Sequence, residues 1–126
     1  MTTRTLARLS SAIEMATGLA LISDPSLVVR LLLGAGISDS GMAVGRVAGI
    51  GLLSLGLACW PSGDGVTAHA TWALFIYNLL AAVYLGYLRV GGGFAGFLLW
   101  PACIFHAVVA LLLARPAYEK VRQVSG

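Results

Sequence analysis

The stretch LARLSSAIEMATGLALI, residues 6–22, is a mostly apolar run with an ionisable side chain, Glu14, near its middle. A helix rises about 1.5 Å per residue, and the hydrocarbon core of a bilayer is about 30 Å thick, so roughly 17 to 20 residues are just enough for one crossing. We therefore predict that residues 6–22 form a first membrane span that carries a carboxyl group at depth.

The composition of the whole chain agrees with a membrane protein. The 126 residues are 59% hydrophobic and 10% charged, and the mean hydropathy is +0.91. Soluble proteins have about 25% charged residues, and a water-soluble fold of this size could not bury so much apolar surface. The chain is short enough for one domain, so we expect an all-α integral membrane four-helix bundle over residues 1–126.

Three further apolar stretches follow the first one, and each is long enough to cross a bilayer. A shorter piece between the first two is predicted to lie at the membrane interface. The predicted elements are spans over residues 6–22, 40–60, 68–89 and 94–114, with the interfacial helix over residues 25–34.

Turn and capping residues separate these elements. Asp24 can cap the short helix and Pro25 suits its first turn, Ser38 or Asp39 can cap the second span, and Thr67 can cap the third. The polar residues 61–65 and the glycines 91–93 are predicted turns. Because Pro101 lies inside the predicted fourth span, we expect a kink near it.

Three glycines, Gly41, Gly45 and Gly49, recur every four residues along the second span. Small residues at this spacing allow membrane helices to approach closely. The glycines therefore predict a helix-packing surface, either within the bundle or between two copies of the chain.

The eight Lys and Arg residues indicate the orientation. An even number of spans places both termini on one side, and that side has the larger share of the basic residues. The positive-inside rule then predicts cytoplasmic termini in a bacterial-type inner membrane. The terminal side has Arg4, Arg8, Arg115, Lys120 and Arg122, and the other side has Arg30, Arg46 and Arg89.

Several polar side chains are predicted at similar depth, and small residues flank them on their own helices. An unpaired carboxylate at mid-bilayer costs about 2.5 to 3.5 kcal/mol, so Glu14 should be protonated, hydrogen-bonded or paired. The predicted intramembrane polar cluster comprises Glu14, Arg46, Tyr77, Asn78 and His106. It is either a proton relay or ligand-binding site, or a structural set of interhelical hydrogen bonds.

The residue pattern does not favour a metal or haem. His69 lies at the start of the third span, about six residues away in depth from His106, so a haem held by two histidines is not expected. Cys59 and Cys103 are also at different depths, which argues against a disulfide. Tyr77 and other aromatic residues of the third span could line a slot for a quinone, although ordinary core and interface aromatics would give the same pattern. No cofactor is therefore predicted, with quinone left open.

The order of elements resembles the DoxX-like superfamily and related uncharacterised bacterial families of small four-helix membrane proteins. The resemblance depends on the first span, the short helix that begins at Asp24 and Pro25, and a second span that opens with GRVAG at residues 45–49. It implies the fold and a connection to sulfur- or quinone-linked redox complexes. The paired-cysteine motif of quinone-linked thiol oxidoreductases is absent from this sequence.

No catalytic motif is present, and the basic residues are too dispersed to predict nucleic-acid binding. Three functional hypotheses follow, with lipid and a membrane protein partner or second copy as the expected contacts. The first is a non-catalytic subunit or scaffold of a membrane complex, which could be a redox complex. The second is a quinone- or lipid-binding module with possible oxidoreductase-linked activity, and the third is a proton-coupled small-molecule carrier.

Overall fold

The computed structural model describes residues 1–63 and 65–125, and the regular secondary structure of this part of the chain is helical, with no strand. Four helices are long and apolar enough to cross a membrane: α1, α3, α4 and the Leu99–Lys120 part of α5. The predicted all-α fold is confirmed. The helices are α1 (Thr3–Ser23), α2 (Pro25–Leu33), α3 (Asp39–Ala58), α4 (Ala68–Val90) and α5 (Leu99–Ser125).

The predicted caps form. The backbone N–H groups of Leu27, Gly41 and Ala70 each donate to a capping oxygen at 3.1 Å, on Asp24, Ser38 and Thr67 respectively. These bonds satisfy amide groups that a helix leaves free at its first turn. Asp64 of the predicted 61–65 turn, and Gly126, lie outside the described residues.

Helix α1 packs most closely on α3, and glycines make this approach possible. A Cβ atom at Gly49 would lie 2.7 Å from the carbonyl oxygen of Gly18, and a Cβ atom at Gly18 would lie 2.7 Å from that of Gly49. Gly56 is equally close to α1, because its Cβ would lie 2.7 Å from the carbonyl oxygen of Ser11. The two backbones therefore touch at positions where any larger residue would separate them.

The predicted glycine surface is used within the chain. Gly49 faces α1, and a Cβ atom at Gly45 would lie 2.9 Å from the ring of Pro25 at the start of α2. Gly41 faces the side chain of Ile37 just before its own helix, so it contributes no contact of this kind with another helix. The sequence prediction did not include Gly18 and Gly56, which complete the α1–α3 contact.

Helix α5 starts later than the predicted residue 94. The segment before it is not helical, because its amide groups bond to the carbonyl end of α2: Ala95 N–H donates to Leu33 O at 3.3 Å, and Leu98 N–H to Leu31 O at 2.8 Å. Pro101 consequently lies in the first turn of α5, where its missing N–H costs nothing. The predicted kink at Pro101 is therefore wrong.

Helix α5 also continues beyond residue 114, through the C-terminal residues that contain Arg115, Lys120 and Arg122, with Pro116 inside it. Two contacts hold this extension: the guanidinium of Arg115 donates to the carboxylate of Glu119 at 2.8 Å, and the ammonium of Lys120 donates to the carbonyl of Val66. The last contact connects the end of α5 to the segment that precedes α4.

The apolar core lies where the start of α1, the end of α3, the start of α4 and the second half of α5 meet. We call this region the terminal end of the bundle, since both chain termini belong to it, and the opposite region the α2 end. The buried residues of the core are Leu6, Ala7, Cys59, Leu74, Val109 and Leu113.

Candidate functional site

Asn78 on α4 is the centre of a buried polar layer next to the apolar core. Its side chain is 0% exposed. The amide nitrogen donates to the hydroxyl of Ser10 on α1 at 3.0 Å and to the carbonyl of Leu74 at 2.8 Å, while the amide oxygen lies 2.8 Å from Nδ1 of His106 on α5. One side chain therefore connects three helices through hydrogen bonds.

The surroundings of Asn78 determine which nitrogen of His106 carries a proton. The carbonyl of Leu74 can only accept, so the nitrogen of the Asn78 amide must face it. The oxygen of the same amide then faces His106, and it can only accept a hydrogen bond from Nδ1. His106 is therefore protonated at Nδ1, and Nε2 is its remaining basic atom.

Glu14 on α1 belongs to the same layer and is 1% exposed. Its Oε1 atom lies 4.0 Å from Nδ1 of His106, beyond hydrogen-bond distance, and has no hydrogen-bond partner in the described residues. The phenol of Tyr77 on α4 is the other polar group that approaches the carboxyl. Glu14 is thus deeply buried beside one imidazole, without a full complement of donors.

Aromatic rings surround the imidazole of His106. The Tyr77 ring lies edge-on to it with 5.6 Å between centroids, and the Phe105 ring lies edge-on at 5.4 Å. Such contacts fix the ring plane and exclude water from one side of it. The layer combines a carboxyl, an amide, an imidazole and a phenol, which together can hold and transfer protons.

Four of the five predicted cluster residues, Glu14, Tyr77, Asn78 and His106, lie together in this layer. Arg46 does not join them. Its side chain is exposed and donates to the carbonyl of Ile22 at 3.3 Å, at the α2 end of the bundle. The structure therefore does not place Arg46 in the predicted cluster, because its guanidinium binds a free carbonyl at the end of α1 instead.

Sequence reasoning treated Ser10 and Ser11 only as small neighbours of Glu14. Both are 0% exposed, and Ser10 is the residue of α1 that accepts from Asn78. The hydroxyl of Ser11 is buried without a hydrogen-bond partner in the described part of the chain. The signal was present, since a residue four positions before Glu14 lies on the same side of the helix.

The aromatic residues of α4 that could line a slot beside Tyr77 are partly spread over the surface of the helix. Tyr84 is 61% exposed and stacks on Tyr87 with 6.3 Å between ring centroids. A groove of about 480 Å³ lies instead on another side of α4, between α4 and α5, and its lining is almost entirely apolar. It is lined by Phe75, Leu79, Ala82, Val83, Cys103, Ala107, Ala110, Leu111 and Ala114.

The remaining candidate ligands stay apart. Within residues 1–63 and 65–125, no three His, Cys, Asp or Glu side chains lie close enough to hold a metal ion. Cys59 and Cys103 are both free thiols, and the thiol of Cys103 lies 3.4 Å from the carbonyl of Ala82. His69 is exposed at the first turn of α4 and is not part of the layer.

Comparison of the chain with protein-family models, curated proteins and solved structures found no match. The resemblance to the DoxX-like superfamily therefore stays a prediction from the sequence.

Proposed function

We propose that the chain is a non-catalytic membrane subunit or scaffold and that its polar layer holds the helices together. The observation that supports this best is the bonding of Asn78, whose amide has partners on α1, α4 and α5 and is fully shielded. Two of the three hydrogen bonds of Asn78 join α4 to other helices. Polar side chains between membrane helices commonly have this role.

In this proposal the four long helices cross a bacterial cytoplasmic membrane, and α2 lies at its far surface. Exposed apolar side chains on every long helix support this, since lipid is the medium in which they need no cover. They include Leu19 on α1, Val47 on α3, Val83 on α4 and Leu111 on α5, which are 54%, 69%, 64% and 75% exposed. The larger number of basic residues at the terminal end supports cytoplasmic termini.

Purification of the tagged chain from native membranes in mild detergent tests the scaffold role. We expect a membrane protein partner at constant stoichiometry, and we expect Asn78→Leu to lose this partner as it weakens the bundle. Ser54→Ala is the matched control, because its hydroxyl donates only to Ile50 on its own helix. Recovery of a stable chain without any partner would reject the proposal.

The orientation has its own test. A fluorescent reporter that folds only in the cytoplasm should be active when it is fused to the C-terminus after residue 126, and inactive when it is inserted in the turn at residues 91–93. The opposite pattern would reverse the proposed orientation without affecting the scaffold role.

A further inference from the structure

The bonding of the layer leaves one part unexplained, namely the carboxyl of Glu14. Asn78, Ser10 and the Nδ1 atom of His106 satisfy one another, whereas Oε1 of Glu14 is shielded and has no hydrogen-bond partner in the described residues. A purely structural role would favour an amide or hydroxyl at position 14, since an ionisable group at this depth carries a high cost.

The groups that face Glu14 show how this cost is met. Helix α4 contributes the phenol of Tyr77, and α5 contributes His106, whose Nδ1–H already donates to Asn78. On α3, Arg46 binds the carbonyl of Ile22 instead, and its neighbours at the α1 contact are glycines. No fixed positive charge of the described chain is therefore paired with this carboxyl, which makes its neutral, protonated form the inexpensive one.

We propose that Glu14 and His106 form an exchangeable proton-binding site inside the bundle, in which Glu14 stores the proton and His106 gives access to it. The exposures support this division. Glu14 is 1% exposed and Asn78 is 0% exposed, while His106 is 9% exposed. The imidazole is the least buried of these three side chains, and its Nε2 atom is not engaged by Asn78; Tyr77, the other group beside Glu14, is half-buried.

Loading of the empty site needs only these groups and a proton from water. The incoming proton forms an N–H bond at Nε2 and gives an imidazolium. The imidazole then leaves the Asn78 oxygen and closes the 4.0 Å gap to Oε1, and Nδ1 releases its proton to the Glu14 carboxylate, so that one N–H bond breaks and one O–H bond forms. In the loaded site His106 has the Nε2–H form, and its Nδ1 atom accepts from the Glu14 carboxyl group. The site has then gained one proton, and the reverse sequence releases it.

Infrared spectroscopy of the purified full-length chain in lipid nanodiscs tests the storage role. At neutral pH we expect the carbonyl band of a protonated carboxyl group, and we expect Glu14→Gln to remove it. Glu119→Gln is the control, because that carboxylate is 54% exposed and paired with Arg115, so this variant should retain the band. Absence of the band from the wild-type protein would overturn the proposal.

The access role is tested by transfer into heavy water. The carboxyl band should shift as its proton exchanges, and the shift should be at least about 100-fold slower in His106→Phe, since this is the smallest typical contribution of a positioned proton-transfer group. An unchanged exchange rate would overturn the role of His106. If His106→Phe fails to fold, nitrogen NMR of the native chain decides instead: at a pH where the carboxyl band is present, the Nε2–H form of His106 supports the proposal, and the Nδ1–H form contradicts it.

This inference is independent of the scaffold role. Glu14→Gln retains the shape and hydrogen-bonding ability of the side chain, so it should lose the carboxyl band but retain the membrane partner. A Glu14→Gln variant that keeps the carboxyl band would reject the proton site, whereas a wild-type chain recovered without a partner would reject the scaffold role.

Discussion

Replacement of Asn78 by leucine should destabilise the bundle by about 1 to 3 kcal/mol, because it removes two interhelical hydrogen bonds that average about 0.6 and reach about 1.7 kcal/mol each in membrane proteins. Leucine has the same branched shape as asparagine and a larger volume, so no cavity arises. The two lost bonds lead to Ser10 and His106. Their polar atoms would remain buried without a partner, which places the expected value in the upper half of the range.

Unfolding in mixed micelles with increasing denaturing detergent measures this free energy. A double-mutant cycle of Asn78→Leu with Ser10→Ala should give a coupling energy near the average for one bond, about 0.6 kcal/mol. Ser54→Ala should change stability by less than about 0.5 kcal/mol, as expected for a site away from the layer. An Asn78→Leu variant as stable as the wild type would refute the view that the layer holds the helices together.

Two further predictions concern the contacts around α3. Gly49→Leu should lower the free energy of unfolding by about 1 to 3 kcal/mol, because its side chain would push against the backbone of Gly18. Gly51→Leu is the control and should be nearly neutral, because nothing lies within 4 Å of a Cβ atom there. Equal losses of stability in thermal unfolding would contradict the close α1–α3 contact. Arg46→Ala should leave the Glu14 carboxyl band unchanged, since the guanidinium binds the carbonyl of Ile22, and a shifted band would return Arg46 to the layer.

The sequence predicted the polar layer well because its members sit at positions where depth can be counted. Glu14, Asn78 and His106 belong to uninterrupted helices, and a rise of about 1.5 Å per residue places them at one level. The position of the Arg46 side chain could not be predicted in this way, since a long, flexible side chain has several acceptors within reach. Counting residues gives the depth of a Cα atom but not the choice among these acceptors.

The start of α5 was missed for a related reason. Residues 94–98 are mostly apolar and compatible with a helix, so the local sequence pattern predicted that the helix begins there. Their conformation depends instead on the carbonyl groups of Leu31 and Leu33, which are distant in sequence. The glycine contact of α1 with α3 was only half predicted, because the four-residue spacing identified Gly49 but not its partner Gly18.

The bonds from Ala95 and Leu98 to the end of α2 also imply an order of assembly during biosynthesis. The carbonyl groups that receive them leave the ribosome well before the segment that donates to them, and nascent chains generally fold from the N-terminal side. The α1–α3 hairpin with α2 can therefore form first and provide a template on which the turn between α4 and α5 closes. Truncation of the chain after α3 should leave a hairpin that inserts, whereas α4 and α5 made alone would lack the surface that determines where α5 begins.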